Sequence, residues 1–243
     1  MSNQTVWISE ARRWAKYYDI SASFPNIDYR RYHILWHKKE GSRVINSKII
    51  FTDKEKQELE VLSELLKQSW KGFSDFRGLS VLPDKLWRTG LSIPKETKHI
   101  FKITGSCLIL SQACSELLQE FNLGKTGLAK VQIYNMETQE PDDDRIFYYL
   151  DMAEWRHYLL PEKSGDTCYY VGYQTNGYDA YQYRGFRDGN LTLSSEALNC
   201  DLDLWHDPML WDSIFISDRL CKALKKAKMF KQFYLKPCDI FTK

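Results

Sequence analysis

The chain has no CxxC pair, no large surplus of either charge, and no apolar run near the ~20 residues that span a bilayer. Each absence removes a class of function. The six cysteines, at 107, 114, 168, 200, 221 and 238, are widely spread, and four of them sit inside apolar or helical patterns. There a free thiol behaves as a small buried hydrophobe, and the usage is that of a reduced, cytoplasmic protein rather than a disulfide scaffold. Residues 1–7 lack the basic segment and apolar core of a signal peptide. A net charge of +2 provides no broad basic surface for non-specific nucleic-acid binding. Neither nucleic acid nor membrane is expected as a partner.

Catalytic signatures are scarce too. His206-Asp207 is the nearest approach to an acid–base pair, but no Ser or Cys nucleophile motif accompanies it. Asp207-Pro208 reads first as a break in the chain before the closing strand. Asp201, Asp203 and Asp207 with His206 lack the glycine and terminal Glu of a calcium loop and read as a solvated loop. Gly124-Lys125-Thr126-Gly127 lacks the first glycine of a phosphate-binding loop and follows a helix instead of opening one, so it reads as a helix stop. His33 and His37 lie four apart in an aromatic pattern that resembles a strand, where surface or packing roles are the default. No catalytic residue, metal ligand or cofactor-binding residue emerges, and no cofactor is expected.

What is present is apolar volume. With 243 residues, 43% of them hydrophobic and 27% charged, the chain is long enough for one large domain or two small ones. Fifteen Tyr, 12 Phe and 8 Trp supply core volume, and those left outside make low-entropy anchors for a partner. Residues 6–18 suggest a strand–helix transition or a short helix. Residues 28–36 and 44–51 suggest paired strands around a turn at 38–42. Thr52 with Glu55 forms a capping-box pattern ahead of Leu59, Leu62, Leu65 and Leu66, and Lys71-Gly72 is the stop. Residues 74–94 read mostly as loop, with room for short strands. Strands are expected at 129–134 and 145–150, a short helix at 152–159, and a hairpin from 168–173 and 178–186 about Thr175-Asn176-Gly177. Arg187-Asp188-Gly189-Asn190 reads as a turn before a further strand at 191–193. The class is α+β, mainly antiparallel sheet with packed helices. The best boundary, near 95, gives an N-terminal α+β region (1–95) and a second domain (96–243), unless the two form one continuous domain.

Two surface features stand out. Glu140, Asp142, Asp143 and Asp144 concentrate negative charge on a turn, which is either a soluble turn or a patch that steers a basic partner. Tyr173, Tyr178, Asp179, Tyr181 and Tyr183 lie on the expected hairpin with Tyr169 and Tyr170. An alternating strand that buries one face presents the other to a partner, although core packing would also absorb most of these rings.

The closing stretch is the most ordered pattern. Ile214-Phe215-Ile216 is followed by Ser217 as helix cap, then by Leu220, Ala223, Leu224 and Ala227 at helical spacing, with Lys222, Lys225, Lys226 and Lys228 toward the C-terminal end. Residues 106–118 repeat it, with an apolar run, Ser111 as cap and Cys114 matching Cys221. Duplication of a strand–helix–strand unit and chance likeness of two common units both remain open.

From Leu204-Trp205-His206-Asp207-Pro208 through residues 212–224 to Phe233-Tyr234-Leu235-Lys236-Pro237, this stretch resembles the C-terminal signature of a bacterial immunity-protein family of the Myxococcus type. The family was first described as a domain of unknown function beside polymorphic toxins. The likeness takes in residues 99–121 and 147–151, so it spans about 95–243. It implies a non-enzymatic inhibitor of one cognate toxin domain delivered by contact-dependent or type VI systems. The toxin would act in the cytosol, as a nuclease or ADP-ribosyltransferase does. The competing expectation is an enzyme that reverses the toxin's modification of its target.

Overall fold

The computed structural model describes residues 4–44, 48–71, 77–166, 168–175, 177–183, 191–210 and 213–242. Asn176 of the expected hairpin turn, Arg184 to Asn190, Gly72 and Asp212 lie outside them. The described fold is α+β with mostly antiparallel sheets. In chain order its elements are β1 (Trp7–Ser9), α1 (Ala11–Trp14), β2 (Ile20–Ser23), α2 (Tyr29–Ser42), α3 (Asp53–Ser69), β3 (Lys85–Arg88), β4 (Ile100–Ile103), β5 (Cys107–Ser111) and α4 (Gln112–Gln119). Then come β6 (Gly127–Val131), β7 (Ile133–Asn135), β8 (Phe147–Asp151), β9 (Cys168–Thr175), β10 (Tyr178–Tyr183) and β11 (Thr192–Ser194). The closing elements are β12 (Leu204–His206), β13 (Ile214–Ile216), α5 (Asp218–Lys226), β14 (Leu235–Pro237) and β15 (Asp239–Phe241).

Two four-stranded antiparallel sheets share one plan. One runs β4-β5-β8-β6 and the other β12-β13-β1-β14. In each, the second strand leads through a Ser cap into a helix, and the strand after that helix takes the fourth place. Ser111 Oγ accepts from Cys114 N at 3.3 Å and Ser217 Oγ from Leu220 N at 3.2 Å, satisfying one free helix donor apiece. The third place is where the two differ. β8 fills it in the first sheet and β1, from the other end of the chain, fills it in the second.

Alternation along the strands explains the layering. In β5, Leu108 and Leu110 face the core that holds Cys114 and Leu118 of α4 and Leu220 and Leu224 of α5, while Cys107 and Ile109 face Ile20 and Leu86. In β13, Ile214 and Ile216 face the same helical core, and Phe215 faces the opposite way, stacked on Trp205 with ring centroids 5.9 Å apart. Helices α4 and α5 therefore lie between the two like sheets. Both faces of β5 and β13 are buried, and for that reason both read as unbroken apolar runs. The three-stranded sheet β2-β3-β7 closes the far side of the first sheet.

Among the described residues three strand pairings cross residue 95. β1 pairs with β13 and β14, and β3 pairs in parallel with β7.

Three expectations are corrected. Residues 28–36 are helix, not strand, and the expected turn at 38–42 continues that helix. Asp28 caps α2 by accepting from Arg31 N at 2.8 Å, and the helix is held to α3 by Arg31–Glu58 and Lys38–Glu55 rather than by an apolar stripe, Leu35 being its buried residue. Residues 48–51 are not strand. Residues 152–159 are extended, not helical: Arg156 N donates to His206 O and His206 N to Glu154 O, which secures the segment beside β12. The capping box at Thr52, the helix of the closing unit and the β9–β10 hairpin form as their sequences specify.

Candidate functional site

The hairpin is pinned at its base and open at its tip. Cys168 pairs with Tyr183 and Tyr170 with Tyr181, so these four share one face. Cys168 and Tyr183 are buried against Leu193, Trp205 and Leu210, whereas Tyr170 is 49% exposed. Tyr173, within the irregular stretch of β9 where the register shifts, is 53% exposed. Tyr181 N donates to Met209 O, which ties β10 to the loop after β12. At the tip Gln174 Nε2 donates to Asp179.

Tyr173, Tyr181 and Tyr183 help to line a cavity of about 250 Å³ completed by Glu10, Arg13 and Ser213. The Glu10 carboxylate is 3% exposed and stands between Arg13 at 3.9 Å and Lys236 at 3.6 Å. Arg13 also donates to the Tyr183 carbonyl at 2.7 Å. Tyr178 belongs to a separate aromatic group, with His157 at 4.8 Å and Trp155 at 6.1 Å between ring centroids. Trp155, 42% exposed, and His157 come from the segment that sequence reasoning takes for a helix. A helical reading turns these two side chains away from each other, so the group was not foreseeable from it. Glu10 and Arg13 are separated from the hairpin by most of the chain.

The acidic turn is a different surface, and most of its charge is already matched. Asp142 is held by Arg88, and Asp143 by Arg145, whose guanidinium holds the Asp143 carboxyl below its usual range. Glu140 and Asp144 are exposed.

The polar residues of the C-terminal loop serve the frame. His206 Nδ1 donates to the Ser213 carbonyl at 3.0 Å, and burial pushes its pKa down to about 3. Asp207 accepts from the backbone N–H groups of Tyr158, Leu159 and Met209. Fully buried Asp203 accepts from Asn122 N, the Ser217 hydroxyl and Arg219 Nε. These loops thus satisfy their backbone with carboxylates. At the glycine turn, Lys125 N donates to the Glu154 carboxylate at 2.8 Å. Burial raises the thiols of Cys107 and Cys168 to about 11 and of Cys114 to about 12, far from nucleophilic thiolates. Among the described residues no three His, Cys, Asp or Glu side chains converge as metal ligands.

No protein-family model matches the chain, and no curated protein matches it significantly.

Proposed function

We propose that the chain is an immunity protein that binds one antibacterial toxin domain and covers its active site, with the β9–β10 hairpin as the principal contact. The observation that carries this reading is the pair of half-exposed rings, Tyr170 and Tyr173, on a hairpin whose base is locked into the core. Rigid aromatics presented this way contribute binding energy at little entropic cost. Trp155, packed beside Tyr178, extends the same apolar and hydrogen-bonding character beyond the hairpin. Steering of a basic toxin cleft falls to Glu140 and Asp144, because Asp142 and Asp143 are paired within the chain.

The compartment follows from the partner. Among the described residues no helix is long and apolar enough to cross a membrane. A toxin that acts on cytosolic targets, such as a nuclease or ADP-ribosyltransferase, requires its inhibitor in the cytoplasm.

The test is a titration of this protein against the purified toxin domain encoded beside its gene, with residual toxin activity as the readout. Activity should fall linearly and end near equimolar protein. Undiminished toxin activity in vitro, with cells still protected, would instead favour an enzyme that repairs the toxin's damage.

A further inference from the structure

Three of the five histidines are engaged within the fold. His99 Nδ1 meets Ser111 Oγ at 3.0 Å, His157 faces Asp207, and His206 binds the Ser213 carbonyl. The other two meet each other. His33 and His37 stand one turn apart on α2, where residues four apart share a face. Their Nε2 atoms are 3.0 Å apart on the protein surface. Trp36 lies edge-on to the His37 ring at 4.9 Å.

Two zinc–imidazole bonds at a tetrahedral angle place their nitrogen atoms roughly 3.3 Å apart. The observed separation is within a small side-chain rotation of that value. Two same-face histidines at this spacing are also the helical half of the zinc-protease ligand set, although the Glu of that motif is missing here. We propose that His33 and His37 chelate one divalent transition-metal ion of the zinc, nickel or copper type through their Nε2 atoms, with water filling its remaining positions. This inference is independent of the toxin-binding reading.

Chemistry at the pair favours the ion. In the metal-free pair one Nε2–H donates to the other Nε2. In the loaded pair both rings carry their hydrogen on Nδ1, and the two Nε2 lone pairs point at the ion. Neutral imidazole donors select zinc, nickel and copper and discriminate against magnesium and calcium, which prefer oxygen ligands.

The experiment is a calorimetric titration of the full, untagged chain with Zn2+, repeated with Ni2+ and Mg2+. One Zn2+ or Ni2+ should bind per chain with micromolar affinity, and Mg2+ should not compete. His33→Ala and His37→Ala should each weaken zinc by at least about tenfold, the scale on which metal sites respond to lost ligand support. His99→Gln, away from the pair, should keep wild-type affinity. His37→Gln can still accept a hydrogen bond from His33, so the helix surface is preserved while the second imidazole is lost. Circular dichroism identifies any variant that fails to fold. A wild-type chain that takes up no zinc at millimolar concentration overturns the site, as does unchanged affinity in folded His33→Ala or His37→Gln.

Discussion

Arg88 holds both carboxylate oxygens of Asp142, Nε to Oδ2 at 2.5 Å and Nη2 to Oδ1 at 2.7 Å, and the two side chains are 11% and 4% exposed. Arg88 also donates to the Gly90 carbonyl. The pair fastens β3 to the turn that follows β7. Asp142→Asn strands a guanidinium that is nearly out of water and should cost about 3 kcal/mol, while Asp144→Asn on the exposed end should stay within about 0.5 kcal/mol. Urea midpoints of the two variants check this, and equal midpoints would refute it.

Charge reversal at Glu140 and Asp144 should slow association with the cognate toxin without altering the urea midpoint. The difference should shrink at high salt, since exposed charges steer an encounter only across a Debye length. Stopped-flow association at two ionic strengths is the measurement. Identical rates would remove the acidic turn from the encounter.

The hairpin should separate binding from folding. Tyr170→Ala and Tyr173→Ala should each raise the toxin dissociation constant by about tenfold or more and leave stability nearly unchanged. Tyr183→Ala empties a core position and should destabilise the protein by about 3 kcal/mol. Surface plasmon resonance beside urea unfolding distinguishes the two. If the exposed tyrosines are silent in binding, the contact surface lies elsewhere.

His206 and His157 shift in opposite directions although both lie beside Asp207. The His206 ring titrates at about 3 in the fold, against about 6.5 when unfolded. Between those values the unfolded state binds more protons. The stability that neutral His206 provides is complete above about pH 6.5 and is lost as the pH falls toward 3, at up to about 1.4 kcal/mol per pH unit. His157 is raised, chiefly by its contact with Asp207. Its contribution is full below the unfolded value and fades as the pH rises through the folded one. Urea midpoints measured from acid to neutral pH should fall on the acid side, and His206→Gln should flatten that limb. An equally steep limb in the variant would contradict the assignment.

The two helix caps offer an internal comparison. Ser111→Ala should cost about 1 kcal/mol, the usual value of a lost cap. Ser217 also donates to buried Asp203, so Ser217→Ala should cost about 2 kcal/mol. Thermal unfolding of both variants tests the ranking.

The sequence showed most where the structure is local. Thr52 and Glu55 sit three apart and cap each other, and the closing helix carries its apolar stripe and its cap within one short stretch. α2 was hidden because Tyr29, Tyr32, Ile34 and Trp36 carry the β-branched and aromatic signature of a strand. Its helix is stabilised by Asp28 at its start and by ion pairs to α3, features that hydrophobic periodicity does not register. The extended segment at 154–160 takes its hydrogen bonds from His206 and Thr192, partners that no local window contains. The site divides in the same way. The tyrosine hairpin is legible in the sequence, whereas the Glu10–Arg13 wall, the Trp155–His157 company of Tyr178 and the burial of Asp142 depend on residues brought together only by the fold.

β1 lies between β13 and β14, and the Ser9 hydroxyl donates to the Phe233 carbonyl across 224 residues of sequence. During synthesis, Trp7 and Ile8 leave the ribosome long before either neighbouring strand exists. The second sheet therefore closes late, as a clasp between distant parts of the polypeptide, and entropy makes such distant pairing slow. Until it closes, β13 and β14 each offer an unpaired edge beside one of the most apolar stretches of the molecule. Trimming a few residues around Trp7 would then do its damage more than two hundred residues away, where α5 and its sheet would lose their central strand.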